Sequence, residues 1–151
     1  METRNFPTSV LSRIFVVSLC CSQLGYSDSA PCDLLTQKQV SSIIETTVGA
    51  SSPIANTGCS WKATGASKVT VTVSMQSEKM FAAAKASSVP GTTKTQISGI
   101  GDEAIFTGVE HFSSLWVRKG TKVLLVRIYG LPVKEAQTKL KALASDAVSK
   151  F

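Results

Sequence analysis

The stretch SSLWVRKGTKVLLVRIY, residues 113–129, decides how this chain folds. β-Branched and aromatic residues on both sides of Lys119-Gly120 predict two antiparallel strands, at residues 114–118 and 121–129, joined by a two-residue turn. Such a turn places Arg118 opposite Thr121 and thereby sets the register of the hairpin. We expect the rest of the chain to pack against this hairpin.

The alternation of side chains along the two strands gives the hairpin two different faces. The apolar face is predicted to be core and consists of Leu115, Val117, Leu124, Val126 and Ile128. The mixed face consists of Trp116, Arg118, Val123, Leu125, Arg127 and Tyr129.

Two interpretations of the mixed face are open. Trp116, Arg118, Arg127 and Tyr129 are candidate binding residues, because aromatic area and planar cations suit carboxylates or a protein partner. Alternatively, Trp116, Val123 and Leu125 form a second core under a helix, and the arginines extend to solvent at its margins. The apolar character of Val123 and Leu125 favours the second interpretation, since a wet sheet face is normally polar.

The first 29 residues are typical of an export signal. Arg4 and Arg13 give a basic start, and the apolar run IFVVSL that follows is too short to span a bilayer. We therefore predict a signal peptide at residues 1–29 and a single domain at residues 30–151, periplasmic or secreted. A lipid anchor at Cys20 or Cys21 is the alternative, and it is the only membrane contact that the sequence suggests.

The chain carries a net charge of +6, and removal of residues 1–29 leaves this value unchanged because two basic and two acidic residues are lost. The lysines are scattered over all segments, as on an ordinary solvated surface. An exported protein is not expected to bind nucleic acid. The predicted partner is an envelope protein or an anionic cell-surface ligand.

Only Cys32 and Cys59 remain outside the predicted signal peptide. Two cysteines in a small exported domain most often form a disulfide, and we predict one here. A metal or redox site would need a close cysteine pair or histidine partners, and the sequence has neither. No metal and no cofactor are therefore expected.

Periodicity and capping signals predict the remaining elements. Thr36 and Gln39 form a capping box and Gly49 is a stop signal, while Ser77 caps a second helix. The predicted helices span residues 33–49, 78–88 and 131–150, and the further strands span residues 59–63, 67–76, 93–98 and 104–107. The order α-β-β-α-β-β-β-β-α predicts an α+β fold, in which three helices cover one side of a mainly antiparallel sheet of five to six strands. The lysines of the last helix, Lys139 among them, are expected to lie in solvent.

Four short motifs carry a family resemblance: Pro-Cys-Asp-Leu-Leu-Thr at 31–36, Cys-Ser-Trp at 59–61, Gly-Ile-Gly-Asp-Glu-Ala at 99–104 and Val-Arg-Lys-Gly at 117–120. In this order and spacing the chain resembles a group of small exported bacterial proteins and lipoproteins that carry a domain of unknown function, some of them similar to PsbP-like folds. The resemblance covers most of residues 31–151. It implies a disulfide between Cys32 and Cys59 and a location outside the cytoplasm, and it implies no catalytic residue.

The glycine-rich segment at residues 99–103 differs from a phosphate-binding loop, because two carboxylates occupy its mouth and a strand follows it. We predict a tight structural turn in which Gly99 and Gly101 permit unusual backbone angles and Asp102 accepts backbone hydrogen bonds.

The only plausible acid/base groups are Asp102, Glu103 and His111. The adjacent carboxylates face opposite ways on an extended chain, and no nucleophile motif accompanies His111, which is expected in an exposed loop. The sequence therefore predicts no catalytic residue and favours a non-enzymatic binding or interaction module of the cell envelope. The alternative is a small envelope hydrolase that uses Asp102, Glu103 or His111.

Overall fold

The structure, a computed structural model, describes residues 30–151. The predicted signal peptide and the candidate anchor residues Cys20 and Cys21 lie outside the described residues. Within them, the helices are α1 (Gln37–Ile44), α2 (Glu78–Ala86) and α3 (Val133–Val148), and a 3₁₀ turn occupies Pro31–Asp33. The strands are β1 (Ser52–Ile54), β2 (Gly58–Lys62), β3 (Thr70–Gln76), β4 (Thr93–Ile97), β5 (Glu103–Val109), β6 (Phe112–Lys119) and β7 (Lys122–Tyr129).

The strands form one antiparallel sheet in the order β1-β2-β3-β7-β6-β5-β4. The predicted α+β class, the three helices and the antiparallel sheet are thus confirmed. The sheet has seven strands within residues 30–151 rather than five to six. The additional strand is β1, which is short, exposed and contains Pro53, and which is not among the predicted strands.

The central hairpin, β6 and β7, has the predicted faces but a different register. Lys119 pairs with Lys122, so the two turn residues are Gly120 and Thr121, and Arg118 lies opposite Val123 rather than Thr121. The difference in pairing is two residues, and because side chains alternate with a period of two, it leaves every side chain on its predicted face. Leu124 is accordingly fully buried.

Helices α1 and α3 cover one face of the sheet, which we call the inner face. The main core lies between these two helices and the inner face of the sheet. It includes all five residues of the apolar hairpin face: Leu115, Val117, Leu124, Val126 and Ile128. Helix α2 packs on the opposite, outer face, where Phe81 contacts a second apolar cluster formed by Ile105, Trp116, Val123 and Leu125. The expectation that all three helices lie on one side is therefore wrong, and the second-core interpretation of Trp116, Val123 and Leu125 is the one that the packing supports.

Helix α1 begins at the predicted capping box, in which Thr36 and Gln39 exchange hydrogen bonds. It ends at Glu45 rather than Gly49, since Glu45 takes the left-handed conformation with φ 56°. The end of α1 is tied to α3 by Lys139, whose ammonium donates to Glu45 Oε2 at 2.7 Å and to Ile43 O at 3.3 Å. Lys139 is only 8% exposed, so its predicted position in solvent is wrong.

The disulfide between Cys32 and Cys59 is present, as predicted, and joins the 3₁₀ turn to β2. Cys59 and Trp61, on the same face of β2, are both fully buried in the main core. The bond fixes the entrance of α1 to the sheet. Within residues 30–151, the structure contains no helix with the length and apolar character that a membrane span requires.

Candidate functional site

The outer face of the sheet carries the candidate site. Helix α2 covers one part of this face, and beyond it run two rows of side chains that cross the strands. The first row, here called the Arg127 row, is polar and consists of Lys94, Thr107, Ser114, Arg127, Thr72, Ser60 and Ser52. The second, the Tyr129 row, is mixed and consists of Val109, Phe112, Tyr129, Thr70 and Lys62. Alternation along the strands, rather than any local motif, aligns these residues.

Arg127 is half-buried at the centre of its row, with Ser114 on one neighbouring strand and Thr72 on the other. Its Nε lies out of contact with solvent and has no hydrogen-bond partner. Within residues 30–151 Arg127 makes no salt bridge. Strands β1, β2, β3, β6 and β7 contain no Asp or Glu, so this cation has no neighbouring carboxylate on those strands. Its row neighbours carry hydroxyl groups, of which those of Ser114 and Ser60 belong to buried residues.

Arg118, in contrast, is paired. Its guanidinium lies 3.5 Å from Glu103 Oε2, and Lys85 of α2 binds the other oxygen of Glu103 at 2.5 Å. The hydrogen bond from Lys85 lowers the pKa of Glu103, and the charges of Lys85 and Arg118 act in the same direction, while partial burial opposes them. This triad attaches α2 to the sheet, which gives Arg118 a structural role.

The four predicted binding residues therefore do not form one patch. Trp116 is 8% exposed and packs in the second core, and Arg118 lies at the edge of that core. Tyr129 remains 40% exposed, and its ring stacks on Phe112 with centroids 4.9 Å apart. Arg127 and Tyr129 are thus the two predicted residues that lie on the uncovered part of the outer face.

A cavity of about 290 Å³ adjoins this region, between the loop after α2 and the outer face of β5 and β6. Its apolar lining comes from Val89, Val109, Phe112 and Trp116, and its polar lining includes Thr107 and Lys94. The hydroxyl of Thr107 lies 2.8 Å from that of Ser114, the direct neighbour of Arg127 in the row. Sequence reasoning missed this cavity, because its walls come from segments that only the tertiary fold brings together.

A larger depression of about 580 Å³ lies near Ala30 and Phe151.

The predicted turn at Gly99, Gly101 and Asp102 lies at the far end of the hairpin. The Asp102 N–H donates to Arg118 O at 2.8 Å, and its Oδ2 accepts from the Gly120 N–H at 2.7 Å. Both glycines have positive φ, and a Cβ on Gly101 would lie 2.5 Å from Arg118 O. The Asp102 carboxylate thus binds the β6–β7 turn.

The three candidate acid/base groups do not converge. Glu103 begins β5, whereas His111 lies beyond its end in the β5–β6 turn, and eight extended residues span roughly 25 Å. His111 is exposed, and the Asp102 and Glu103 carboxylates are occupied by the Gly120 N–H and by the Lys85 and Arg118 cations. The part of the chain that the structure describes also holds no group of three or more His, Cys, Asp or Glu side chains arranged to bind a metal.

Comparison with known proteins adds no family to this picture. No protein-family model matches the chain, and neither the curated proteins nor the solved structures contain a significant match. The function is therefore argued from the site alone.

Proposed function

We propose that this chain is a non-enzymatic binding module of the cell envelope, and that it holds an anionic group of its partner against the outer sheet face at Arg127. The partner is an envelope protein or an anionic cell-surface polymer. The observation that carries the proposal is the unpaired guanidinium of Arg127 on a face whose flanking strands carry no carboxylate.

The chemistry of the Arg127 row suits an anion. A guanidinium presents a planar fork of donors that matches the two oxygens of a carboxylate, phosphate or sulfate group. The hydroxyl of its half-buried register neighbour Thr72 is a further donor, whereas that of buried Ser114 is bonded to Thr107. Partial burial of Arg127 lowers the local dielectric constant, which strengthens attraction to an incoming anion.

The disulfide supports an oxidising compartment for the folded chain, since such bonds persist mainly in exported proteins. The proposed export through residues 1–29 agrees with this, as does the motif resemblance to exported proteins of unknown function. The hydrolase alternative has no geometric support within residues 30–151, because Glu103 and His111 are at opposite ends of β5.

The proposal predicts that Arg127→Gln weakens retention of the protein on an immobilised anionic polymer. We suggest polygalacturonate and dextran sulfate, with the disulfide intact and at several salt concentrations. A hydrogen bond to a charged group contributes roughly 1.5–3 kcal/mol, so affinity should fall about tenfold or more.

Two matched variants distinguish binding at Arg127 from non-specific attraction to the positive charge of the domain. Lys134→Gln removes the same charge from the exposed surface of α3, and Arg118→Gln removes an arginine that Glu103 already neutralises. Both should retain nearly full affinity. Equal losses in Arg127→Gln and Lys134→Gln would show only non-specific attraction to the net charge of the domain and would refute the proposal.

A further inference from the structure

We infer that the cavity beside the Arg127 row binds the apolar end of a small organic anion, in which a short aliphatic chain joins a carboxylate to an aromatic ring, with the carboxylate directed to Arg127. The inference rests on the proposed function, since it uses the same arginine as the anion site, and it goes beyond that function by adding a small-molecule ligand to the macromolecular partner.

The cavity has the size and lining of a pocket for one ring. Its volume of about 290 Å³ is at the lower end of the usual range for small-molecule sites, roughly 300–1,000 Å³. The Trp116 and Phe112 side chains contribute aromatic lining against which another aromatic group can pack. A polymer chain would not enter a space of this volume, whereas a single aromatic group would.

Exposed apolar side chains gather at this site. Val89 is 59% exposed and Val109 is 38% exposed, and both line the cavity, while Tyr129 stacks on the cavity residue Phe112. They are three of the five large hydrophobic side chains recorded as exposed within residues 30–151. Such a concentration of exposed apolar area next to polar groups is typical of a ligand site rather than of an ordinary surface.

The wall of the cavity is held in place without a ligand. The Lys94 ammonium donates to Ser87 O at 2.8 Å and also to Lys85 O, so it satisfies carbonyl groups at the end of α2 and fixes the start of the loop that carries Val89. Helix α2 is itself anchored by Phe81 in the second core. A preformed wall lowers the ordering cost of binding.

The cavity residue Thr107 and the cation Arg127, which does not itself line the cavity, belong to one row across the sheet. Thr107 lines the cavity, Ser114 hydrogen-bonds to it on the next strand, and Arg127 is on the strand after that. Neighbouring strands are about 4.8 Å apart, so the backbones of Thr107 and Arg127 are separated by roughly 10 Å. An aryl group on a short aliphatic chain spans such a distance. The Thr107 and Ser114 hydroxyls lie between its two ends and bond to each other, and Ser114 is buried.

The probe for this inference is 4-phenylbutyrate, compared with the neutral 4-phenyl-1-butanol. Titration is followed by calorimetry and by tryptophan fluorescence. Trp116 lines the cavity and reports on binding there, whereas Trp61 is fully buried in the main core and acts as an internal reference. The carboxylate should bind with a change in Trp116 emission, and the alcohol should bind about tenfold more weakly because it lacks the charge. Equal affinity for both would overturn the role of Arg127.

A matched pair of variants tests the cavity. Val89→Asp and Met80→Asp each replace an exposed apolar residue by the same charge, but only Val89 lines the cavity. Val89→Asp should weaken 4-phenylbutyrate binding about tenfold or more, and Met80→Asp should change it less than about twofold. Similar effects in both variants would contradict the inference.

The two proposals fail separately. Arg127-dependent retention on the polymers without binding of 4-phenylbutyrate refutes the ligand class and leaves the proposed function standing. If 4-phenylbutyrate binds in the cavity but the Arg127→Gln variant is retained on the polymers as strongly as the unaltered protein, the proposed function is refuted.

Discussion

Removal of the Cys32–Cys59 bridge should lower the free energy of unfolding by about 3.5 kcal/mol. The two residues are separated by 27 positions in the sequence. For a loop of that length, the chain-entropy relation gives about 12 cal/mol/K of lost freedom in the unfolded chain, which is about 3.5 kcal/mol at 25 °C. The effect acts mainly through the unfolded state, because the bridge restricts how far that state can expand.

The perturbation is the double variant Cys32→Ala/Cys59→Ala, and the assay is urea denaturation with a parallel thermal scan. For a domain of this size the loss corresponds to a fall in Tm of roughly 10–15 °C. Reduction of the unaltered protein is the control, because it opens the bridge without removing the sulfur atom of fully buried Cys59. A loss below about 1 kcal/mol in both would refute the loop-entropy reasoning.

Three further predictions concern the core, the turn and acid stability. Leu124→Ala should lower the free energy of unfolding by about 2–5 kcal/mol in urea denaturation, and a change near zero would contradict the burial of that side chain. Gly101→Ala should destabilise the protein far more than Gly99→Ala in calorimetry, because only a Cβ at position 101 would meet backbone, at 2.5 Å from Arg118 O. Both variants carry the positive-φ cost of about 1–2 kcal/mol, and equal losses of stability would count against the turn geometry. The pKa of Glu103 is lowered in the folded state. Its contribution to stability is therefore complete above its pKa in the unfolded state, about 4.3, and is lost as the pH falls through its pKa in the folded state. Glu103→Gln should therefore lose less stability than the unaltered protein between pH 5 and pH 3, and superimposable acid profiles would show that the Lys85 contact is not formed.

The faces of the hairpin were predictable from sequence, whereas its register was not. Leu124 and Trp116 were placed on the correct sides because alternation has a fixed period of two. The turn was assigned to Lys119-Gly120, but Gly120-Thr121 equally contains a glycine that accepts positive φ. Local turn chemistry does not distinguish these alternatives, and the pairing of β6 with β7 along their whole length decides between them.

Features that depend on contacts distant in sequence were missed. Lys139 was expected in solvent because lysine is usually exposed, yet its side chain is buried against α1, where its ammonium pairs with the exposed carboxylate of Glu45, 94 positions away. The cavity unites Val89 and Trp116 only after α2 has crossed to the outer face. Of the candidate site, the sequence therefore predicted Arg127 and Tyr129 as binding residues but could not predict the pocket beside them.

Backbone amide shifts, recorded by NMR during titration with 4-phenylbutyrate, are the sharpest test of anion binding at Arg127. We expect the largest shifts to cluster on the outer face, at Thr107, Ser114, Arg127 and Thr72, and Arg127→Gln to abolish them. Shifts confined to α1 and α3 on the inner side, or outer-face shifts that persist in Arg127→Gln, would show that Arg127 does not hold the anion.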